Sequence, residues 1–274
     1  KRGEDVKKGE KVLTRGALLQ PQDLGILAAI GLSHIKVVRK PRVAILSTGN
    51  ELVEPGSKVV LGKVIDVNRL IISASVKDAG GEPADLGIAG DEVADIAERV
   101  SEGLRSSDMV LISGGTSVGA RDLVPTAVDS LGKPGIIVHG ISMRPGKPTA
   151  LAAVGGKPII LLPGYPVAAL IAFNTFAQTV MKRMLGTPQG KVFRQTIRAR
   201  MLRRVPSRPG VRDYVRVFVR KAGTGYVAEP IRTTGAGIIS SMVEANGLVV
   251  IPEEIEGLEK GEEVEVTLLR SLDE

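Results

Sequence analysis

The sequence predicts a three-layer α/β/α domain with a mostly parallel sheet, followed by a small β-barrel. Apolar, strand-like runs alternate with helical patterns from residue 42 to about 186, which is typical of a parallel sheet covered by helices on both faces. From about residue 190, short strand-like segments separated by Gly and Pro indicate a small barrel or sandwich. Aromatic residues make up 3% of the chain, so Val, Ile, Leu and Ala must fill the core. We therefore divide the 274 residues into a partial N-terminal domain (1–40), an α/β domain (41–188) and a β-barrel domain (189–274).

The first 40 residues form a lead-in to the α/β domain. A strand and turn are predicted at 10–16, and a helix at 24–30 starts behind Gln20-Pro21 and stops at Gly31. A second short strand is predicted at 35–38. The chain starts at Lys1 without Met, so we expect it to be a fragment of a longer protein.

The elements of the α/β domain follow from hydrophobic periodicity. Short apolar runs predict strands at 43–46, 83–88, 108–112, 136–141 and 159–162. Apolar residues at helical spacing predict helices at 68–79, 93–104, 123–131 and 168–184; Val93, Ile96 and Val100, for example, share one face. In the β domain, strands are predicted at 192–202, 211–219, 226–229, 247–251 and 263–269.

Composition excludes several classes of function. The net charge of +7 indicates a basic surface or attraction of an anionic ligand, with the densest Arg cluster at 198–220. The scarcity of aromatics and of continuous basic tracts argues against nucleic acid. The chain has no Cys, so thiolate sites and a Cys nucleophile are excluded, and its two histidines, His34 and His139, argue against a multi-histidine metal site. Neither a membrane span nor a signal peptide is recognisable, so we expect a cytoplasmic protein.

Polar loops follow several strands of the α/β domain, and such loops should open at one edge of the sheet. The first contains Thr48, Gly49 and Glu51, and its alternative interpretation is an ordinary loop or a helix start. The second contains Asp66 and Asn68. Asp66 could face a ligand or metal, whereas capping of the following helix would explain Asn68 equally well.

A glycine-rich segment, 113–122, follows the strand at 108–112. It is neither the P-loop nor GxGxxG, and its alternative interpretation is a plain turn. Bare backbone N–H groups next to glycine can approach an anion closely, so we expect a phosphate or oxyanion pocket here. Its candidate residues are Ser113, Gly114, Gly115, Ser117, Gly119 and Asp122.

Two proline-stiffened loops complete the predicted site. Arg144-Pro145-Gly146-Lys147 brings positive charge next to small residues, and Pro163-Gly164-Tyr165-Pro166 is similarly rigid. The carboxylates of Glu51, Asp66 and Asp122 suit Mg²⁺, which in turn suits a bound phosphate. No nucleophile–His pair is present, so phosphoanhydride or oxyanion transfer is the chemistry we expect.

The order of these motifs resembles the molybdopterin molybdenumtransferases, the MoeA proteins and the gephyrin E domain. The matching segments are 47–52, 66–68, 113–122, 144–148, 162–166 and, in the β domain, 237–242 with 245–248. The resemblance implies transfer of molybdate onto adenylylated molybdopterin with release of AMP, and a homodimer whose active site lies between subunits. An adenylyltransferase is a further expected partner.

The resemblance also implies roles for individual residues. Glu51, Asp122, Arg144 and Lys147 would be catalytic, and Glu51, Asp66 and Asp122 would hold Mg²⁺. The substrate would be bound by Thr48, Gly49, Asp66, Asn68, Ser113, Gly114, Gly115, Ser117, Gly119, Pro145, Gly146, Pro163, Gly164 and Pro166.

The chain departs from the family pattern at several positions. Tyr165 stands where many members have Asn, Arg144 where Lys is frequent, and Gly140 where some members have Lys. Family chains are also longer, and the N-terminal lobe that closes over the partner's active site is expected to be missing. Two other functions remain open, a molybdopterin adenylyltransferase and a non-catalytic pterin-binding or scaffold module. The preference between molybdate and tungstate also remains open.

Overall fold

The structure is a computed structural model that describes residues 3–115, 123–187, 195–231 and 235–272. The strands before residue 188 are β1 (Arg42–Thr48), β2 (Leu52–Val53), β3 (Val64–Ile65), β4 (Glu82–Ala89), β5 (Met109–Ser113), β6 (Pro134–His139), β7 (Met143–Arg144), β8 (Ala150–Val154) and β9 (Lys157–Leu162). The helices are α1 (Pro21–Ala29), α2 (Asn68–Asp78), α3 (Val93–Ser106), α4 (Leu123–Ser130), α5 (Pro166–Ala172) and α6 (Gln178–Met184), and a π-helical turn, Phe173–Ala177, joins the last two.

The central sheet has the strand order β4-β1-β5-β9-β8-β6. The first four strands are parallel to one another, whereas β8 runs antiparallel to both β9 and β6. A run of fully buried aliphatic residues in β1 and β5 forms the middle of this sheet. The prediction of a mostly parallel sheet is therefore confirmed.

Helices cover both faces of the sheet, which confirms the three-layer prediction. On one face, Ile96 and Val100 of α3 and Val124 and Val128 of α4 pack on the sheet. On the other face, α2 and the continuous helical run from α5 through α6 enclose a second core that includes Phe173. The carboxyl ends of the sheet's parallel strands are thus held between two layers of helices.

The C-terminal segment forms a closed five-stranded barrel. Its elements are β10 (Thr196–Met201), β11 (Val205–Pro206), β12 (Arg212–Ala222), β13 (Gly225–Pro230), α7 (Ser240–Glu244), β14 (Gly247–Ile251), β15 (Gly257–Leu258) and β16 (Glu263–Leu268). The pairing order β10-β16-β14-β12-β13 closes when β13 pairs with β10. The predicted barrel is confirmed, and the alternative of an open sandwich is not.

The barrel and the α/β domain share a strand and a small core. Strand β7 lies parallel to β12, with Met143 opposite Arg212. Met143, Val167, Ile171 and Met242 then form an apolar cluster between α5, β7 and α7. These contacts fix the barrel at the side of the sheet where β9 leads into α5.

Two predicted strands in the lead-in are wrong. The segments 10–16 and 35–38 contain no strand, and α1 is the single regular element described before β1. A strand without a neighbour leaves its backbone groups unpaired, so an apolar run alone does not make one. Several lead-in side chains, including Leu18 and Val37, are exposed.

An ion pair fastens the end of the lead-in to the sheet. The Arg39 guanidinium donates 2.6 Å and 2.5 Å hydrogen bonds to the two Asp108 carboxylate oxygens. The Arg42 amide donates to the same carboxylate at 2.8 Å. The hydrogen bonds from Arg39 hold the pKa of Asp108 below its usual value, against the opposing effect of partial burial. The carboxylate therefore stays charged and fixes the point at which the chain enters β1.

Within the described part of the chain, no helix combines the length and apolar character needed to span a membrane.

Candidate active site

Three adjacent parallel strands end together at one edge of the central sheet. Ser47 of β1 lies opposite Ser113 of β5, and Ser113 lies opposite Leu162 of β9. Ser47 and Ser113 are both almost completely buried. The loops that leave these strands therefore start within about 5 Å of their neighbours, the usual spacing of paired strands.

Asn68, the first residue of α2, bridges these strand ends. Its side-chain nitrogen donates to the Ser113 hydroxyl and to the Gly164 carbonyl, each at 2.8 Å. Because both protons of the amide are used, α2, β5 and the loop after β9 are joined through one side chain. Asn68 follows the N-cap residue Val67, and its side-chain oxygen accepts no hydrogen bond from the described residues, so the capping interpretation is wrong.

Glycine is required where the chain leaves β5. A Cβ added to Gly114 would lie 2.4 Å from the Thr48 carbonyl oxygen, and one added to Gly115 would lie 2.8 Å from the Thr48 hydroxyl. Both glycines also have positive φ, 98° and 60°, which residues with a side chain rarely adopt. Glycine is therefore needed at these positions because the chain leaving β5 lies directly against the end of β1.

Buried polar atoms gather at this strand end without protein partners among the described residues. They are the hydroxyl oxygens of Ser47 and Thr48 and the side-chain oxygen of Asn68. Buried polar groups are normally hydrogen-bonded, and leaving one unpaired costs about 1–3 kcal/mol. We name Ser47, Thr48, Asn68, Ser113, Gly114, Gly115 and Gly164 the strand-end cradle. Its unpaired acceptors and hydroxyls fit a polar ligand better than a closed structural core.

Asp66 lies against a neighbouring arginine, and its buried Oδ2 forms no hydrogen bond with the described residues. One carboxylate oxygen accepts the Arg69 backbone N–H at 3.2 Å, and the other lies 3.4 Å from the Arg69 guanidinium. The same guanidinium also contacts the carboxylates of Glu54 and Asp85. Arg69 therefore holds three acids, and it ties the start of α2 to β4 and to the residue after β2. Its role had no signal in the sequence, because its partners Glu54 and Asp85 lie 15 or 16 positions away in opposite directions along the chain.

Glu51 lies in an exposed loop beside the cradle. Its carboxylate folds back over Gly49, where an added Cβ would lie 2.7 Å from either oxygen. Asn50 exchanges hydrogen bonds with Asp91, and Lys63 donates to the Asn50 carbonyl at 2.6 Å. As the sequence predicts, Glu51 lies near the end of β1. Its carboxylate is exposed.

Arg144 faces the barrel. Its Nε donates to Asp213 at 2.7 Å, a second guanidinium nitrogen donates to the other oxygen, and Ser207 donates to Asp213 at 2.6 Å. Asp213 is buried, whereas 47% of the Arg144 side chain is exposed. The exposed part of the guanidinium remains open to an anion, but its charge is offset by Asp213. Such a pairing across 69 positions of sequence could not be predicted.

The Arg144–Lys147 loop leaves β6, which lies two strands beyond β9 in the sheet. The connection from β6 to β8 opens at the same edge of the sheet as the cradle, and Arg144 within it belongs to β7 beside the barrel. Lys147 is exposed, and Thr149 donates to the Gly146 carbonyl at 2.7 Å, which closes the loop. The predicted residues thus form two groups, the cradle and the Arg144–Lys147 loop.

The loop after β9 carries Pro163, Gly164 and Pro166 into α5. Gly164 packs on Gly114, since an added Cβ would lie 3.6 Å from the Gly114 Cα. The Val167 amide donates to the Ala236 carbonyl of the barrel segment at 3.1 Å. The barrel therefore borders the site on the side of Tyr165.

The carboxylates described so far do not form a complete magnesium site. In the described ranges, no group of three or more His, Cys, Asp or Glu side chains converges. Asp66 is paired with Arg69, and Asp122 lies outside the described residues, as do Ser117 and Gly119. The three-carboxylate site stays a prediction.

Four of the eight arginines at 198–220 form ion pairs with acids. Arg198 contacts Glu263, Arg203 contacts Glu229, Arg204 contacts Glu259 and Arg212 contacts Glu253. These cross-strand and loop pairs favour the interpretation as a solvated basic surface over an anion-binding patch.

Two family models match separate parts of the chain. Residues 44–183 match the model of a probable molybdopterin binding domain, and residues 198–269 match that of the MoeA C-terminal region, domain IV. A Methanocaldococcus jannaschii protein named putative molybdopterin biosynthesis protein is 37% identical over 98% of the chain. The chain belongs to the MoeA family.

Other relatives support this assignment. A Mycobacterium tuberculosis protein named molybdopterin molybdenumtransferase 2 is 36% identical over 68% of this chain and 47% of its own length. The crystal structure of a molybdopterin biosynthesis MoeA protein from Pyrococcus horikoshii superposes with a TM-score of 0.83 at 35% identity, over 97% of this MoeA-family chain. The chain spans 65% of the Methanocaldococcus relative and 64% of the Pyrococcus chain.

Proposed function

We propose that this MoeA-family chain carries the substrate-binding part of a molybdopterin molybdenumtransferase. In the proposed reaction, the two dithiolene sulfurs of adenylylated molybdopterin replace oxygen ligands of molybdate, which leave as water, and hydrolysis of the phosphoanhydride bond releases AMP. The observation that carries the proposal is the strand-end cradle, in which the buried hydroxyls of Ser47 and Thr48 and the Asn68 oxygen have no partner among the described residues.

The cradle suits the phosphate end of such a substrate. Gly114 and Gly115 let the chain that leaves β5 lie directly against Thr48, and in the proposal the backbone N–H groups of this turn receive a phosphate oxygen. A rigid layer of helices on each face holds these donors in place before the substrate arrives. Fixed donors need no reorganisation when charge develops on the leaving phosphate, which is the main source of catalysis in such sites.

The charged residues around the cradle have separate proposed tasks. Lys147 and the exposed part of Arg144 would attract molybdate or the substrate phosphates, while the Asp213 carboxylate fixes the Arg144 geometry. Glu51 and Asp122 remain the proposed carboxylates for Mg²⁺. Asp66 would act through the orientation of α2, since its carboxylate is paired with Arg69. Homodimerisation also remains part of the proposal.

The closed barrel supports the transferase over the adenylyltransferase alternative, because residues 198–269 match the MoeA C-terminal region. The test is to incubate purified protein with adenylylated molybdopterin and to measure AMP with and without molybdate. Both the 274-residue chain and the longest polypeptide that its gene encodes should be assayed. We expect AMP release that depends on molybdate and falls when EDTA is added.

The controls separate the other two functions. Adenylylated product formed from molybdopterin, ATP and Mg²⁺ would indicate the adenylyltransferase. Tight binding of molybdopterin, with no AMP released from its adenylylated form in either polypeptide, would indicate a binding or scaffold module.

A further inference from the structure

Tyr165 is an exposed aromatic side chain at the border of the strand-end cradle. The chain has three Tyr, four Phe and no Trp. In the described ranges, Tyr165 and Phe218 are the two exposed aromatic side chains, and 66% of Tyr165 is accessible. Phe218 lies on β12 of the barrel, whereas Tyr165 directly follows Gly164, whose carbonyl accepts the Asn68 hydrogen bond. Large apolar surface is thus left open next to polar groups that lack partners.

The backbone around Tyr165 holds its position. Tyr165 immediately precedes α5, and its carbonyl accepts the Ala169 amide at 2.9 Å. Its neighbour Gly164 packs on Gly114, so the Tyr165 Cα lies one residue, about 3.8 Å, from a cradle residue. The base of the side chain is therefore fixed relative to the cradle.

Gly237 of the barrel segment backs the Tyr165 ring. A Cβ added to Gly237 would lie 3.2 Å from Tyr165 Cδ1 and 3.7 Å from Cε1. The barrel thus supports one side of the ring with bare backbone, and the high exposure of Tyr165 shows that the rest of the ring is open. A supported ring with an open face is the arrangement by which aromatic side chains stack on planar heterocycles.

We propose that Tyr165 is a stacking platform for the fused heteroaromatic ring of the substrate. The proposal deepens the proposed function, on which it rests: the cradle receives the phosphate and Tyr165 receives a planar ring attached to it. Pterin and adenine share this chemistry, and both occur in adenylylated molybdopterin. No covalent or proton-transfer step is involved, so Tyr165 sets ring affinity and selectivity.

The test measures ring binding to the 274-residue chain without molybdate. Unsubstituted pterin is titrated by the quenching of its own fluorescence, and AMP by calorimetry. Tyr165→Ala should weaken binding of one ring about tenfold, as expected for loss of one stacked contact, and Tyr165→Phe should keep native affinity. If Tyr165→Ala weakens the binding of pterin alone, Tyr165 stacks on the pterin ring. If it weakens the binding of AMP alone, Tyr165 stacks on adenine. Phe218→Ala, the matched exposed aromatic outside the site, should change neither.

A double-mutant cycle adds a geometric test. Gly237→Ala introduces a methyl group against the ring, so it should weaken ring binding when Tyr165 is present and have no effect in the Tyr165→Ala background. Equal effects of Gly237→Ala in both backgrounds would overturn the proposal. So would native affinity for both rings in Tyr165→Ala, affinity loss in Tyr165→Phe equal to that in Tyr165→Ala, or failure of the native chain to bind either ring.

The outcome is separate from that of the AMP-release assay. If ring binding depends on Tyr165 but molybdate-dependent AMP release is absent, the proposed reaction fails and the stacking role stands. If AMP release is present and Tyr165→Ala binds both rings normally, the reaction stands and the stacking role fails.

Discussion

The side chain of Asn68 donates a 2.8 Å hydrogen bond to the hydroxyl of Ser113, and so joins the first residue of α2 to the last residue of β5. The same nitrogen also holds the Gly164 carbonyl. Three segments that are far apart in sequence are thus fixed by one amide. The geometry of the cradle depends on this side chain more than on any capping of α2.

Asn68→Asp should destabilise the protein more than Asn68→Ala. The aspartate would place an oxygen against the Gly164 carbonyl where a donor now stands, whereas alanine only leaves the partners unpaired. Measured by urea denaturation, the free energy of unfolding should fall by roughly 2–4 kcal/mol in Asn68→Asp and by roughly 1–3 kcal/mol in Asn68→Ala. Ser75→Ala, on the same helix, should cost less than about 0.5 kcal/mol. Equal stability of the two Asn68 variants would contradict the observed orientation of the amide.

Gly115→Ala should be much more damaging than Gly223→Ala. The two glycines have nearly the same φ, 60° and 61°, so the conformational strain of alanine, about 1 kcal/mol, is common to both. Only Gly115 is crowded, with an added Cβ 2.5 Å from Val124 and 2.8 Å from the Thr48 hydroxyl, while nothing lies within 4 Å at Gly223. Urea denaturation should show an additional loss of roughly 1–3 kcal/mol at Gly115. Similar losses at both sites would show that the chain can shift away from β1.

Asp213→Asn should loosen the Arg144 loop from the barrel. The buried Asp213 accepts from Arg144 and Ser207, so the change removes a charged acceptor that is shared by two donors. We expect a loss of about 1–3 kcal/mol in unfolding free energy, reduced by the partial exposure of Arg144. Arg144→Lys should lose part of the same energy, because a lysine cannot form the two-pronged contact. A double-mutant cycle that shows additive effects would refute the coupling of these residues.

The Arg39–Asp108 pair predicts a defined pH dependence. The pKa of Asp108 is lower in the folded protein than in the unfolded chain, chiefly through hydrogen bonds from Arg39. Its contribution is therefore complete above the ordinary aspartate pKa of about 3.9 and is lost as the pH falls through the lower folded value. Asp108→Asn should be less stable than the native chain at pH 7. This difference in the free energy of unfolding should vanish once the pH is below the folded pKa of Asp108.

The measurement is urea denaturation of both proteins at intervals from pH 7 to pH 2.5. Arg39→Gln should weaken the pH dependence in the native Asp108 background, because it removes the largest cause of the shift. A stability difference between the native chain and Asp108→Asn that stays constant over this range would contradict the account.

The sequence was sufficient where one physical signal determined the outcome. Alternation of buried runs with amphipathic helices predicted the mostly parallel sheet, and the polar residues after β1, β5 and β9 were correctly expected at one edge. Strand β8 was missed because Ala-Leu-Ala-Ala-Val has low strand propensity, and its place between β9 and β6 is determined by pairing. The lead-in strands were wrong because no neighbouring strand pairs with them.

Site roles that depend on distant partners could not be predicted from sequence. Asn68 looked like a cap, although its partners Ser113 and Gly164 lie 45 and 96 positions away. Arg144 looked like a free anion ligand, but it is paired with Asp213. Such contacts are determined by tertiary packing, and no local pattern records them.

Thr48→Val is the sharpest test of whether the strand-end cradle binds the substrate. Valine keeps the shape of threonine and removes a buried hydroxyl that has no partner among the described residues, so stability should be unchanged or raised by up to about 1 kcal/mol. Thr149→Val, whose lost hydroxyl is bonded to the Gly146 carbonyl, should instead destabilise by about 1 kcal/mol. The decisive measurement is molybdate-dependent AMP release from adenylylated molybdopterin by the Thr48→Val variant. We predict at least a tenfold loss in a protein that is as stable as the native one, and native AMP release in that variant would contradict the cradle as the substrate site.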